Sequence, residues 1–162
     1  MSADRARVSV LVEVEIDEAF RIFTEEIDEW WQRGHRYRVA GKRRGIIAIE
    51  PKVGGRLFER FDGDDGPKVF ETGKVLTWQP PTRLTFQWRA VNFAPTEVTE
   101  VDVVFHAQSN GTLVTVTHSG WDRIRPDHPA RHGLQTGPFL RMMGMWWGEL
   151  MTSLRVFATR KI

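Results

Sequence analysis

Arg83-Leu84-Thr85-Phe86-Gln87-Trp88 sets an apolar side chain against a polar one at every step, the period-two signature of a strand with one face in a core. Thr99 to Phe105 repeats the pattern with Val101, Val103 and Phe105, and Val114, Val116 and His118 carry it through a third run. Between the second and third runs, Asn110-Gly111 marks a hairpin, because a type I′ turn needs positive φ at both central positions.

Working outward from these runs, the same logic gives the rest of the chain. Val8, Val10, Val12 and Val14 alternate as a first strand, and Asp17 is placed to cap a short helix through Phe20, Ile22 and Phe23. A second short helix is expected to end at Trp30-Trp31, before Gly34. Ile46 to Ile49 reads as a strand stopped by Pro51, and Gly54-Gly55 turns the chain into a strand with Leu57, Glu59 and Phe61 on one face. Asp62 to Pro67 is a turn. Val69 to Trp78, closed by Pro80-Pro81, carries apolar residues on both faces, so its sides cannot be assigned. On the other side, a loop holding Pro126, Pro129 and Gly133 leads to Pro138, well placed in the first turn of a helix. Phe139, Met143, Trp147, Leu150, Leu154 and Phe157 recur at three- and four-residue spacing, and about 21 residues give a helix of roughly 30 Å. One strand, two short helices, six strands and one long helix predict a single α+β domain over residues 1–162, without repeats or linkers.

Composition narrows the function. The chain of 162 residues is 41% hydrophobic, enough for an ordinary core, and has no cysteine, which excludes a disulfide framework, a thiol nucleophile and any Cys-based metal site. Its 23 Lys+Arg against 21 Asp+Glu leave a net charge of +2, mixed along the chain, and Lys42-Arg43-Arg44 reads as a solvated loop. Nucleic acid is therefore not an expected partner. No run reaches the roughly 18 apolar residues of a membrane span, and no apolar h-region follows Met1, so a cytoplasmic location is expected. Seven tryptophans are many for this length, and that much rigid aromatic area suits the lining of a cavity.

The order of elements, with Gly54-Gly55-Arg56, the stretch from Gly73 to Trp88, Thr99-Glu100-Val101 and His118-Ser119-Gly120-Trp121, resembles the START-like SRPBCC superfamily. Within it the chain is similar to the domain of heat-shock-90 ATPase activator homologues. The resemblance implies a helix-grip fold: a curved seven-stranded antiparallel sheet, order 1-7-6-5-4-3-2, around the C-terminal helix. The inward sets would then line a pocket, with Glu59, Phe61, Phe86, Trp88, Val103, Phe105, Val116, His118, Met143 and Trp147 as its candidate ligand-binding residues. The co-chaperone carries an additional N-terminal domain without a counterpart in these residues, an expectation against ATPase stimulation. The superfamily hosts carriers, cyclases, receptors and co-chaperone modules, so the fold alone does not select a function.

Glu59 and His118 interrupt otherwise apolar inward faces, where a polar group needs a partner. They are either acid–base or ligand-orienting groups, or structural groups satisfied by internal hydrogen bonds. If they face a wet pocket, His118→Phe should cost little stability or add some. With four strand intervals between them, roughly 19 Å along the sheet, they do not form an intimate pair. Glu71 is read as outward. His128 and His132 have the spacing of a helical zinc pair, but no third ligand other than Asp127 is evident nearby, and they are expected as exposed loop residues. Asp62, Asp64 and Asp65 fail the calcium-loop pattern and mark a hairpin. Gly54-Gly55 precedes a strand rather than a helix, which argues against a phosphate loop. Trp30-Trp31 either staples the short helices or closes the pocket mouth, and Gly144 and Gly148 either let the helix approach the sheet or leave room for a ligand.

The leading expectation is thus a protein that binds a small apolar or aromatic molecule, without catalytic residues, metal or cofactor. A cyclase-, dehydratase- or hydrolase-type enzyme using Glu59 and His118, and a co-chaperone-like interaction module, are the alternatives; a homodimer is compatible with either.

Overall fold

The alternating runs become strands β5 (Arg83–Trp88), β6 (Thr99–Gln108) and β7 (Gly111–Ser119), paired antiparallel. Their register aligns the inward side chains in rows: Phe86 opposite Val101 opposite His118, and Leu84 opposite Val103 opposite Val116. Leu84, Phe86, Val101, Val103, Val114 and Val116 lose all solvent contact. At roughly 25 cal/mol per Å² of apolar area, such rows are the main favourable term of the fold. The hairpin sits where expected, but its turn is Ser109-Asn110, with Gly111 already paired to Gln108. Gly111 has φ +147, and a Cβ there would run into the Val12 carbonyl, so close approach as well as conformation calls for glycine.

The computed structural model describes residues 5–89, 93–94, 96–124, 128 and 136–160. The remaining strands are β1 (Arg5–Val12), β2 (Gly45–Ile49), β3 (Arg56–Gly63) and β4 (Gly66–Gln79), and the sheet order is β1-β7-β6-β5-β4-β3-β2. Helices α1 (Ile16–Glu25) and α2 (Ile27–Trp30) follow β1, and α3 (Thr136–Thr159) lies against the sheet. The N-cap position of α1 is Glu15, not Asp17, and its side chain makes no capping bond; Asp17 and Glu18 instead place negative charge in the first turn, where the helix dipole favours it. The loop with Pro126, Pro129 and Gly133 lies outside the described residues.

β4 explains why its faces cannot be read from sequence. Its pairing to β3 skips Thr72, between Leu57↔Gly73 and Phe58↔Glu71, and its pairing to β5 skips Leu76, between Val75↔Phe86 and Thr77↔Thr85. Each bulge adds an unpaired residue and bends the strand, so the period of two breaks twice within 14 residues. Thr72 and Val75 point inward while Leu76 is exposed. Glu71 is exposed, as expected, with Lys74 Nζ 3.0 Å away.

The inward stripe of α3 is Phe139, Met143, Trp147, Leu150, Met151, Leu154 and Ala158. Phe157, expected in the stripe, is half-buried and lies beside an outer groove, because one more helical residue carries Ala158 onto the core side. Among the described residues no helix is long and apolar enough to cross a membrane.

Two glycines give opposite expectations. A Cβ at Gly73 would overlap the Gln87 carbonyl, whereas one at Gly144 meets nothing within 4 Å. Gly73→Ala should destabilise the protein by about 1–3 kcal/mol or more, and Gly144→Ala should stabilise it by about 0.5–1 kcal/mol. Urea unfolding of both variants measures the two signs.

Candidate functional site

The end of α2, the loop after it, the ends of β5 and β7 and the middle of α3 enclose a cavity of about 40 Å³. Trp31, Trp88, Trp146 and Trp147 supply its aromatic walls, with Met143, Leu150 and His118 between them and Arg36 and Tyr37 from the loop. Trp31 stacks on Trp88 at 5.9 Å and 26°, and meets Trp147 edge-on at 5.7 Å and 89°. These contacts fix walls at right angles to one another, a geometry aromatic quadrupoles favour.

His118 is the polar post of this cluster, and it is 1% exposed. The Trp147 indole N–H can only donate, and it lies 3.1 Å from His118 Nδ1, so Nδ1 accepts and the ring is neutral with its proton on Nε2. Nε2 is 2.7 Å from Thr99 Oγ1, whose hydroxyl donates to the Trp88 carbonyl at 3.2 Å. One directed chain of hydrogen bonds thus runs from α3 through β7 and β6 to β5. Burial pushes the His118 pKa down to about 3. With both ring nitrogens engaged, His118 positions Trp147 and is not poised to exchange protons with a ligand.

Glu59 is also structural in its contacts. It is 3% exposed, and its carboxylate accepts the backbone N–H groups of Val39 at 2.7 Å and Ala40 at 3.1 Å. These amides belong to the loop that brings Arg36 and Tyr37 to the cavity. Arg38, buried and unforeseen, ties the loop from the other side: its guanidinium bonds the Asp28 carboxylate at 2.7 Å and the carbonyls of Asp28, Trp31 and Gln32. Trp31 Nε1–H in turn donates to the Tyr37 carbonyl at 3.0 Å. Glu59 and Arg38 are positioning residues for the loop.

Of the expected pocket residues, Trp88, His118, Met143 and Trp147 line the cavity. Phe86, Val103, Phe105 and Val116 do not: they belong to the packed core, where Phe20 and Phe23 of α1 approach Phe105 at 5.1 and 5.7 Å and fill the space expected to be open. Phe61 and Glu59 lie on β3, near the loop, with the Arg43 guanidinium 5.9 Å from the Phe61 ring. Trp30 packs on Phe23 at 4.8 Å while Trp31 lines the cavity, so the adjacent pair divides the stapling and lining roles. Arg36, Tyr37 and Trp146 were not foreseen. The available signal is Trp146-Trp147 itself, since neighbours on a helix point about 100° apart and one of them must leave the core stripe. Gly144 and Gly148 serve no close approach, because a Cβ at either meets open space.

His128 corrects the expectation of an exposed loop residue: it is 1% exposed, with Nε2 3.6 Å from Glu97 Oε1 and the Phe93 ring at 5.1 Å. His132 lies outside the described residues. Among the described residues no group of three or more His, Asp or Glu side chains is arranged to hold a metal.

A curved seven-stranded sheet gripping one long helix, with a tryptophan-lined cavity between them, defines a helix-grip domain of the SRPBCC superfamily. The chain belongs to the family of activator of Hsp90 ATPase homolog 1-like proteins, whose model matches residues 13–154. Among solved structures it is similar to protein MLL2253 from Mesorhizobium loti (18% identity, TM-score 0.65, covering 98% of each chain). Protein SA2116 from Staphylococcus aureus shares 10% identity at TM-score 0.69, over 97% of this chain and 94% of that one. The Aha1 dimer from Colwellia psychrerythraea shares 18% at TM-score 0.60, over 93% and 92%. At these identities the likeness is one of fold. No curated protein matches the chain.

The buried relay makes an expectation opposite to that of a wet pocket. His118→Phe removes the acceptor of the Trp147 N–H and should cost about 1–3 kcal/mol. The neutral ring also sets a pH dependence. Below its unfolded pKa of 6.5 the unfolded chain takes up a proton that the folded chain refuses until about pH 3. Stability contributed above pH 6.5 is therefore lost as pH falls through this window, by at most about 1.4 kcal/mol per pH unit from this group. Urea unfolding at pH 7 and pH 4.5 should show a smaller acid loss in His118→Phe than in the wild type.

Proposed function

We propose that the chain binds a small apolar or aromatic molecule in the tryptophan-lined cleft between α3 and the ends of β5 and β7, in the cytoplasm. The observation that carries this reading is the convergence of Trp31, Trp88, Trp146 and Trp147 on a cavity that Tyr37 also lines, its hydroxyl shielded from solvent and making no well-aligned hydrogen bond among the described residues. A packed structural core has no use for an unsatisfied hydroxyl, whereas a binding site gains specificity from one. The cavity of about 40 Å³ is smaller than the roughly 150 Å³ of a buried site that takes benzene. A ring therefore enters by moving part of the wall, and Met143, with its flexible unbranched side chain, is the adaptable piece. Acid–base chemistry is less favoured, because His118 and Glu59 already spend their polar atoms on internal partners.

A neutral dye, N-phenyl-1-naphthylamine, and the smaller indole and naphthalene test the reading. At least one should bind saturably at one site per chain, and Trp88→Ala should weaken it by about tenfold while the protein remains folded. No saturable binding of any of the three would remove the proposal.

Self-association is a second reading, favoured by the outer face of α3. Met145 is 69% exposed there, and Val156 and Phe157 line a groove of about 760 Å³ with Gly148, next to α2. A second copy of this chain is the proposed occupant, and the similar Colwellia protein is described as a dimer. Light scattering across a concentration series should show a dimer that Met145→Glu disperses; a monomer at every concentration would exclude it.

A further inference from the structure

The polar corner of the cleft carries an inference about the charge of its ligand, and it rests on the binding reading above. Arg36 and Tyr37 are adjacent in the loop and both line the cavity. Arg36 lies at the rim with its side chain 51% exposed. Its guanidinium stands 5.6 Å from the Trp146 ring centroid. Its Nη1 donates to Glu149 Oε1 at 3.2 Å, the one hydrogen bond it makes among the described residues. A guanidinium has five N–H donors in a planar fork suited to a carboxylate, so most of its capacity is unused. The Tyr37 hydroxyl next to it is shielded from solvent and interacts with the Arg36 guanidinium and the Glu149 carboxylate without a well-aligned hydrogen bond to either. No acidic side chain lines the cavity.

A cationic ligand would find the face of Trp146 already occupied by Arg36 and the nearby carboxylate of Glu149 already paired with that guanidinium. A neutral ligand would leave the guanidinium fork unused. An anionic one can take the place of Glu149 at both Arg36 and the Tyr37 hydroxyl while its ring meets the indoles.

We propose that the ligand is an aromatic or apolar carboxylic acid, bound as the carboxylate by Arg36 and the Tyr37 hydroxyl with its apolar body against the tryptophans. Glu149 then has a defined part. Its carboxylate, 45% exposed, holds Arg36 in the position a ligand carboxylate would use and competes with it. An exposed pair of this kind is weak, so exchange of one carboxylate for another is cheap.

Three near-isosteric probes separate the possibilities: phenylacetate, phenylacetamide and phenethylamine, followed through the indole N–H resonances of the whole protein. Phenylacetate should bind about tenfold more tightly than phenylacetamide, with phenethylamine weakest, and added salt should narrow the difference because Arg36 is half in solvent. Arg36→Gln should abolish the preference for the acid over the amide. Glu149→Gln, which removes the competitor, should tighten phenylacetate alone by a few-fold. Both positions are exposed, so loss of fold is not an obstacle. Equal binding of acid and amide, or a preference for the amine, overturns the inference and leaves the binding reading in place. Failure of all three probes together with the neutral dyes overturns both.

Discussion

The hydrogen bond from the Trp147 indole to His118 is the constraint on which the arrangement depends. An apolar helix resting on an apolar sheet has many nearly equivalent seats, because burial is non-directional. A directional bond selects one. Trp147 must meet Nδ1 of one ring, that ring must present Nε2 to Thr99, and Thr99 must reach the Trp88 carbonyl. The axial position and rotation of α3 are fixed together, and with them the places of Met143, Trp146 and Leu150. The surrounding indoles, at 4.7 Å for Trp121 and 6.1 Å for Trp88, keep water from competing for the bond.

The opposite wall is held by a different kind of polar anchor. The loop carrying Arg36 and Tyr37 closes on itself through backbone turns, among them Gly34 N–H to the Gly41 carbonyl and Arg38 N–H to the Gly34 carbonyl, and Glu59 and Arg38 tie it down from either side. Asp28 ties Arg38 to the sheet, accepting from the Arg38 guanidinium and from the Ile47 backbone of β2. The groups facing the cavity are thus mostly apolar, while the charges that place them lie behind, Glu59 and Arg38 buried and Asp28 partly exposed. That division is what an adaptable lining on a rigid support requires.

Much of the fold was legible because β5, β6, β7 and α3 each obey one period throughout. β4 was opaque for a physical reason: bulges at Thr72 and Leu76 reset its alternation, and a bulge has no period of its own. Glu59 and His118 stood out as polar interruptions of apolar faces, but the sequence could not say which backbone amides or indole would meet them. Arg38 was hidden, since it sits among Arg33, Arg36 and the exposed run from Lys42, and burial alone distinguishes it. The cavity was placed too generally along the inward faces, because Phe20 and Phe23 were read as forming a helix without following where that helix would sit. Tyr37, the chain's single tyrosine, lies in a stretch with no periodicity to give its side chain a direction.

The pairing of β1 with β7 has a consequence for how the chain reaches this structure. Arg7 and Thr117, 110 positions apart, are hydrogen-bonded neighbours, and β1 has no other strand partner in the sheet. A nascent chain would therefore carry an unsatisfied valine-rich strand until β7 had been made. Contacts of such separation slow the search for the native state, since the entropy of closing the intervening segment must be met before pairing rewards it. The hairpin of β6 and β7, closed by a short turn, can form locally and supply a template. Late capture of β1 by that template makes the first strand the last to be secured, and during synthesis the segment most open to a chaperone or to aggregation.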